Sequence, residues 1–147
     1  MARRGQDETA ATGDEALLDA LVQTSYAVIE VLTVVAARHK LSLTLLRVIA
    51  ILRDHTPSMS ELAEHLGLDR SSVTGLVDRT VARGLLCRIG DERDRRSSRV
   101  TLTNIGHDLA ETCAEEVICE LEPLLARLTA AQRSQLMRLL EALGTVS

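Results

Sequence analysis

The stretch that decides the fold is Ser58 to Gly84, SMSELAEHLGLDRSSVTGLVDRTVARG. Ser58-Met59-Ser60-Glu61 has the form of a capping box, in which a serine hydroxyl accepts an orphan backbone N–H and the glutamate three residues on reaches back to the N–H of the cap. It predicts a short helix to about Leu66, stopped at Gly67, where a residue without Cβ can turn left-handed. Only Leu68 separates that glycine from Asp69, a second N-cap, which predicts another helix from Arg70 to Arg83, ended by Gly84. Two capped helices meeting at a tight glycine turn read as a helix-turn-helix.

Working outward, Leu85 to Ile89 reads as a strand, Gly90 to Arg96 as a charged turn, and Ser97 to Leu102 as a returning strand with period-two alternation at Val100 and Leu102. Thr103 caps a long helix from Asn104, with Ala110, Val117, Leu121 and Leu128 among the residues of its apolar side and Pro123 as a kink or restart. Thr129-Ala130-Ala131-Gln132 is a second capping box, opening a last helix striped by Leu136, Leu139, Leu140 and Leu143. Upstream, Ser42 caps a helix over Leu43 to Asp54, closed by His55-Thr56-Pro57. Before it, Leu18, Leu21, Val22, Val28, Ile29, Leu32, Val35 and Ala36 recur at helical spacing from Glu15 to His39. Residues 1–13 lack periodicity and are expected to be a disordered tail.

Charge decides where to look for a partner. The formal net charge of −4 argues against a nucleic acid, but residues 70–100 hold Arg70, Arg79, Arg83, Arg88, Arg93, Arg95, Arg96 and Arg99 against four carboxylates. Such an excess attracts a polyanion locally, because beyond a Debye length of about 8 Å remote carboxylates are screened. On the helix from Arg70, an arc of Val73, Leu76, Val77, Thr80 and Val81 must face the core, since successive residues advance about 100°. The opposite arc holds Ser71, Gly75, Asp78 and Ala82, flanked by Ser72, Thr74 and Arg79: small residues that admit a close surface, with hydroxyls and a fork donor suited to phosphates and base edges. A solvated polar face is the alternative, and Asp78, which would repel phosphates, is expected to be paired with an arginine. At the turn tip Asp91-Glu92-Arg93-Asp94-Arg95-Arg96, arginines can enter a narrow minor groove while the aspartates hold their guanidinium planes.

In these residues the sequence resembles the MarR family of bacterial transcriptional regulators, from about Leu41 to Leu109. The family's wing motif D-x-R-D-x-R stands at Asp91, Arg93, Asp94 and Arg96, and LT-x-x-G at Leu102, Thr103 and Gly106. The resemblance implies a mostly α fold: a winged helix-turn-helix over 41–103, with the long helices of 14–40 and 104–147 forming a dimerisation region. It also implies a homodimer on an inverted-repeat operator in double-stranded DNA. Arg93 would then enter the minor groove, Arg96 would touch phosphate or stabilise the wing, and Arg70, Ser71, Ser72, Thr74, Arg79 and Arg95 would complete the DNA-binding set. Independently, the apolar stripes on the first and last two helices exceed what a core of about 70 residues could cover, so a partner subunit is expected to bury the surplus.

The function expected is a sequence-specific regulator, a repressor relieved by a small-molecule effector. A winged-helix protein-interaction module without DNA, or a thiol-based redox sensor, are the alternatives. Tyr26, His39 and Arg47 fall near a cleft that an effector would use, with packing or surface ion pairs as the plainer reading of each. Cys87, Cys113 and Cys119 form no C-x-x-C pair, and Cys113 and Cys119 sit about 240° apart around one helix, so neither a disulfide framework nor a thiolate metal site is suggested. No cofactor, metal site or catalytic motif is expected. Tyr26 as the single aromatic residue disfavours single-strand binding by base stacking. The N-terminus, MARRGQDETAATGDE, has no signal-peptide pattern, and the apolar stretches are interrupted before the roughly 18 residues of a membrane span. A cytoplasmic protein is expected.

Overall fold

The computed structural model describes residues 4–90 and 98–144. In chain order its elements are α1 (Arg4–Arg38), α2 (Leu43–Asp54), α3 (Met59–Leu66), α4 (Arg70–Ala82), β1 (Leu86–Gly90), β2 (Ser98–Leu102), α5 (Asn104–Leu125) and α6 (Ala130–Ala142). Ser42, Ser58, Asp69, Thr103 and Thr129 each accept, with a side-chain oxygen, the N–H three residues on, which sets the starts of α2 to α6. Both capping boxes close reciprocally. Gly67 takes φ 65°, the left-handed geometry that lets the chain turn from α3 into α4 within three residues.

Helix α1 starts at Arg4, inside the stretch expected as a tail over residues 1–13. Those residues have no apolar stripe, but extending an existing helix adds one hydrogen bond per residue without a new nucleation cost. At the other end Lys40, at φ 54°, reverses the chain, and Leu41 N–H donates to the Ala36 carbonyl at 2.9 Å. Pro123 lies inside α5, in its final turn, and no restart separates it from the residues before.

The core is aliphatic and belongs to the helix-turn-helix. Leu45, Leu46, Val48, Ile49 and Leu52 of α2 meet Met59, Leu62 and Leu66 of α3, Val73 and Val77 of α4, and Leu86, Val100 and Leu102 of the hairpin. Thr80 is buried among them, its hydroxyl donating to the Leu76 carbonyl at 2.7 Å. The hairpin is antiparallel, Leu86 opposite Leu102 and Gly90 opposite Ser98, and its root is anchored by the buried Leu86 and Leu102. The connector after α2 joins β2 as well: Ser58 bridges Arg99, and Val100 N–H donates to the Pro57 carbonyl at 2.9 Å. Sequence reading saw only a helix break there, because a single bridged residue leaves no alternation.

Beyond this core the long helices are bare. Of the α1 stripe only Val35 and Ala36 are buried, while Leu18, Leu21 and Ile29 are exposed. Helix α6 buries none of its residues. Gly13–Arg38 is, by length and composition alone, apolar enough to cross a membrane, which corrects the expectation that every apolar stretch is too short. The polar interruptions are Gln, Thr, Ser and Tyr, with Glu30 the only charge between Asp19 and Arg38, and these lower hydropathy little. The same helix sends Val35 and Ala36 into the core, and its exposed apolar residues stand uncovered like Ile118 and Leu124 of α5 and Met137 and Leu139 of α6.

Candidate nucleic-acid interface

Helix α4 turns Val73, Val77 and Thr80 inward and leaves Ser71, Ser72, Asp78, Arg79 and Ala82 exposed, with Thr74 and Gly75 half-buried. The arc expected to face a partner is therefore the open one. Its hydroxyls are already engaged. Ser71 Oγ donates to Asp69 Oδ1 at 2.5 Å, Ser72 Oγ to Asp69 Oδ2 at 2.6 Å, and Thr74 Oγ1 to the Arg70 carbonyl at 2.7 Å. The donations from Ser71 and Ser72, with the Ser72 backbone N–H, hold the Asp69 carboxyl well below the usual carboxylate range. With their protons committed, Ser71, Ser72 and Thr74 present mainly acceptor lone pairs outward, which suits base amino groups and water better than phosphate oxygens.

The donors on this face are arginines. Among the described residues, Arg70 and Arg79 are in no ion pair. The Arg79 guanidinium lies over Gly75, where an added Cβ would come within 3.2 Å of Nη1, so this glycine makes room for the arginine one turn along. Asp78 is paired as expected: Arg88 Nη2 donates to its Oδ1 at 2.6 Å, which joins α4 to β1 and offsets a carboxylate that would otherwise face phosphates. The sequence had not identified Arg88 as the partner, because the register between α4 and the hairpin is set by packing. Arg93, Arg95 and Arg96 lie outside the described residues, between the ends of the two strands at Gly90 and Ser98.

A second feature is an apolar groove along α2. Two adjoining cavities, about 390 Å³ and 310 Å³, share Leu32, Leu46 and Ala50; Arg47 lines one, and Arg53, Cys113 and Val117 line the other. Of the three effector candidates only Arg47 borders it. Tyr26 is exposed elsewhere on α1, and His39 is tied to α5, its Nε2 2.8 Å from Glu116 Oε1 beside Arg38 bonds to Glu116 and Glu120. The His39 contact leads in holding the Glu116 carboxyl low. Burial pushes the Cys113 thiol up, away from the thiolate a redox sensor requires.

A family model described as the MarR family matches residues 39–97. Over 132 residues the chain is 33% identical to the homoprotocatechuate degradative operon repressor of Escherichia coli, covering 86% of each protein. NadR in complex with 4-hydroxyphenylacetate superposes with a TM-score of 0.74 at 25% identity, over 87% of this chain and 92% of that one. A mutant MarR from E. coli, complexed with operator DNA, has the same fold, with a TM-score of 0.70 at 23% identity over 87% of this chain and 93% of that one.

Proposed function

Because this chain belongs to the MarR family of DNA-binding transcriptional regulators, we propose that it acts in the cytoplasm as a homodimeric repressor whose hold on an inverted-repeat operator is loosened by a small aromatic carboxylate. Family membership decides against an enzyme and against a winged-helix module without DNA. Residues 14–40 and 104–147 join two subunits, and 41–103 of each reads one half-site, with α4 in the major groove. Arg70 and Arg79 donate to phosphate or guanine, Ser71, Ser72 and Thr74 contact base edges or water, Arg93 enters the minor groove beside it, Arg96 touches phosphate or stabilises the wing, and Arg95 completes the set. The observation behind this reading is the face of α4, where the carboxylate is offset by Arg88 and two arginines stand without a carboxylate partner among the described residues.

The effector class is supported by two relatives, one named as the repressor of a homoprotocatechuate degradative operon and one holding 4-hydroxyphenylacetate. The α2 groove suits such a ligand: Leu32, Leu46 and Ala50 supply apolar walls and Arg47 a counterion. A ligand seated there releases DNA only by its preference for the dimer with its recognition helices at the wrong spacing. The test is fluorescence anisotropy on an inverted-repeat duplex selected from random DNA. Affinity should fall steeply with salt, and 4-hydroxyphenylacetate should release the duplex from the wild type but not from Arg47→Ala. Equal, weak binding to every duplex would sink the operator reading; release that ignores Arg47 would move the effector elsewhere.

A further inference from the structure

A different cavity, about 570 Å³, lies between α2, the connector of residues 55–57, α3 and the edge of β2, and it shares only Arg47 and Ala50 with the α2 groove. Its walls are rich in cations and imidazoles: Arg47, His55, His65 and Arg99. Arg47 Nη2 donates to the His65 carbonyl at 2.7 Å, a bond that orients the guanidinium without neutralising it, and Arg47 is in no ion pair among the described residues. The two carboxylates in the wall are both engaged, Glu61 in part by a cation of the same wall, its Oε2 lying 3.9 Å from Arg99 Nη1. Asp54 is gripped by the Arg53 fork at 2.9 and 3.3 Å, and Glu61 Oε2 accepts the Ser58 N–H at 2.7 Å as half of the capping box. His65 Nδ1 lies 2.7 Å from the Glu61 carbonyl, so Nδ1 holds the ring proton and Nε2 is free for a ligand. Arg99 Nη1 donates to the Thr56 carbonyl at 2.6 Å, and both residues line the cavity.

We propose that this cleft is a second ligand site, which takes a small oxyanion, a carboxylate or phosphate group, between Arg47, His55 and His65. Cavities of a few hundred Å³ with a few convergent polar groups are the size class of small-molecule sites. Arg99 connects the occupant to DNA binding. It belongs to β2, the strand that leads directly from the wing, and it is bridged to Ser58 at the start of α3, so an anion in the cleft touches the root of the wing and the first helix of the helix-turn-helix together. An oxyanion is held at His65 Nε2 through a proton shared between the two atoms. Arg47 and Asp54 from α2, His55 from the connector, Glu61 from α3 and Arg99 from β2 are the charged or titratable groups around it.

The site adjoins the α2 groove through Arg47 and Ala50, and the test tells its occupant from the aromatic effector by the histidines, which border this cleft and not the groove. The imidazole resonances of the histidines are followed in the full dimeric protein while sodium phosphate, or separately sodium acetate, replaces sodium chloride at constant ionic strength. His55 and His65 should shift saturably while His39 and His107 stay fixed. Saturation by phosphate alone identifies a phosphoryl ligand; saturation by acetate identifies a carboxylate. His65→Gln should weaken the His55 response about tenfold, the scale of one charge-assisted hydrogen bond, while leaving release of the operator by 4-hydroxyphenylacetate unchanged. No saturable shift with either anion, equal shifts at all the histidines, or full affinity in His65→Gln overturns the proposal.

Discussion

Replacing Gly106 with alanine will destabilise the protein although it puts a better helix former into α5. Gly106 is buried in the first turn of that helix, and a Cβ there would lie well inside the van der Waals radius of the Leu85 carbonyl oxygen, with Leu85 C at 3.1 Å and Leu102 Cδ2 at 3.2 Å. None of these neighbours can yield separately, because Thr103 N–H donates to the same Leu85 carbonyl at 3.0 Å, Thr103 Oγ1 donates to the Gly84 carbonyl at 2.7 Å, and Gly106 N–H donates to Thr103 Oγ1 at 3.1 Å. Relief requires the start of α5 to retreat by roughly 1 Å, which stretches these bonds toward the limit of hydrogen-bond geometry. Overpacking of about 1–3 kcal/mol and about 1 kcal/mol for each of the three weakened bonds outweigh the helix-propensity gain of about 1 kcal/mol, for a net loss of about 3–5 kcal/mol. Gly13→Ala is the control: the same change in α1, with open space around the new methyl, should stabilise by about 0.5–1 kcal/mol. Urea unfolding at one fixed protomer concentration measures both, since dimer stability depends on concentration. A Gly106→Ala midpoint at or above wild type would refute the close-approach argument.

Three further outcomes follow from the same geometry. Arg79→Ala should weaken operator binding by about 1–3 kcal/mol in anisotropy titrations and leave the urea midpoint unchanged, as for the loss of one base-reading arginine; an unaltered affinity would remove Arg79 from the interface. Asp69→Ala should speed amide exchange at Ser72 and Val73, where the cap is lost, and flatten the acid limb of the pH–stability curve. In the wild type the Asp69 carboxyl is held low, so its contribution is complete above the ordinary carboxylate range, where folded and unfolded chains are both ionised, and shrinks as pH falls and the unfolded chain takes its proton first. Leu18→Glu, at an exposed position of the α1 stripe, should raise the dimer dissociation constant about tenfold or more in sedimentation equilibrium, because a buried unpaired carboxylate costs more than the apolar contact it replaces; an unchanged constant would place the interface elsewhere.

Much of this was legible before any coordinates. Ser42, Ser58, Asp69, Thr103 and Thr129 act within one turn of themselves, so their chemistry and spacing alone set where helices begin, and Gly67 alone sets where α3 must stop. The buried arc of α4 was readable because helical period converts directly into a face. The motif glycine at 106 was visible too, but not its reason, which is a carbonyl brought against it by a turn far along the chain.

What the sequence by itself determined, then, is the order and ends of the elements, the inward face of α4 and the surplus of apolar surface on the long helices, since each depends on residues within a turn or two of one another. Tertiary structure alone decided that the hydroxyls of Ser71 and Ser72 close onto Asp69, that Arg88 is the partner of Asp78, that His39 is spent on Glu116, and that Arg47, His55, His65 and Arg99 border one cavity. Those pairings join side chains whose separation depends on how α2, α3, α4, α5 and the hairpin pack, and packing geometry is not encoded in local period or capping chemistry.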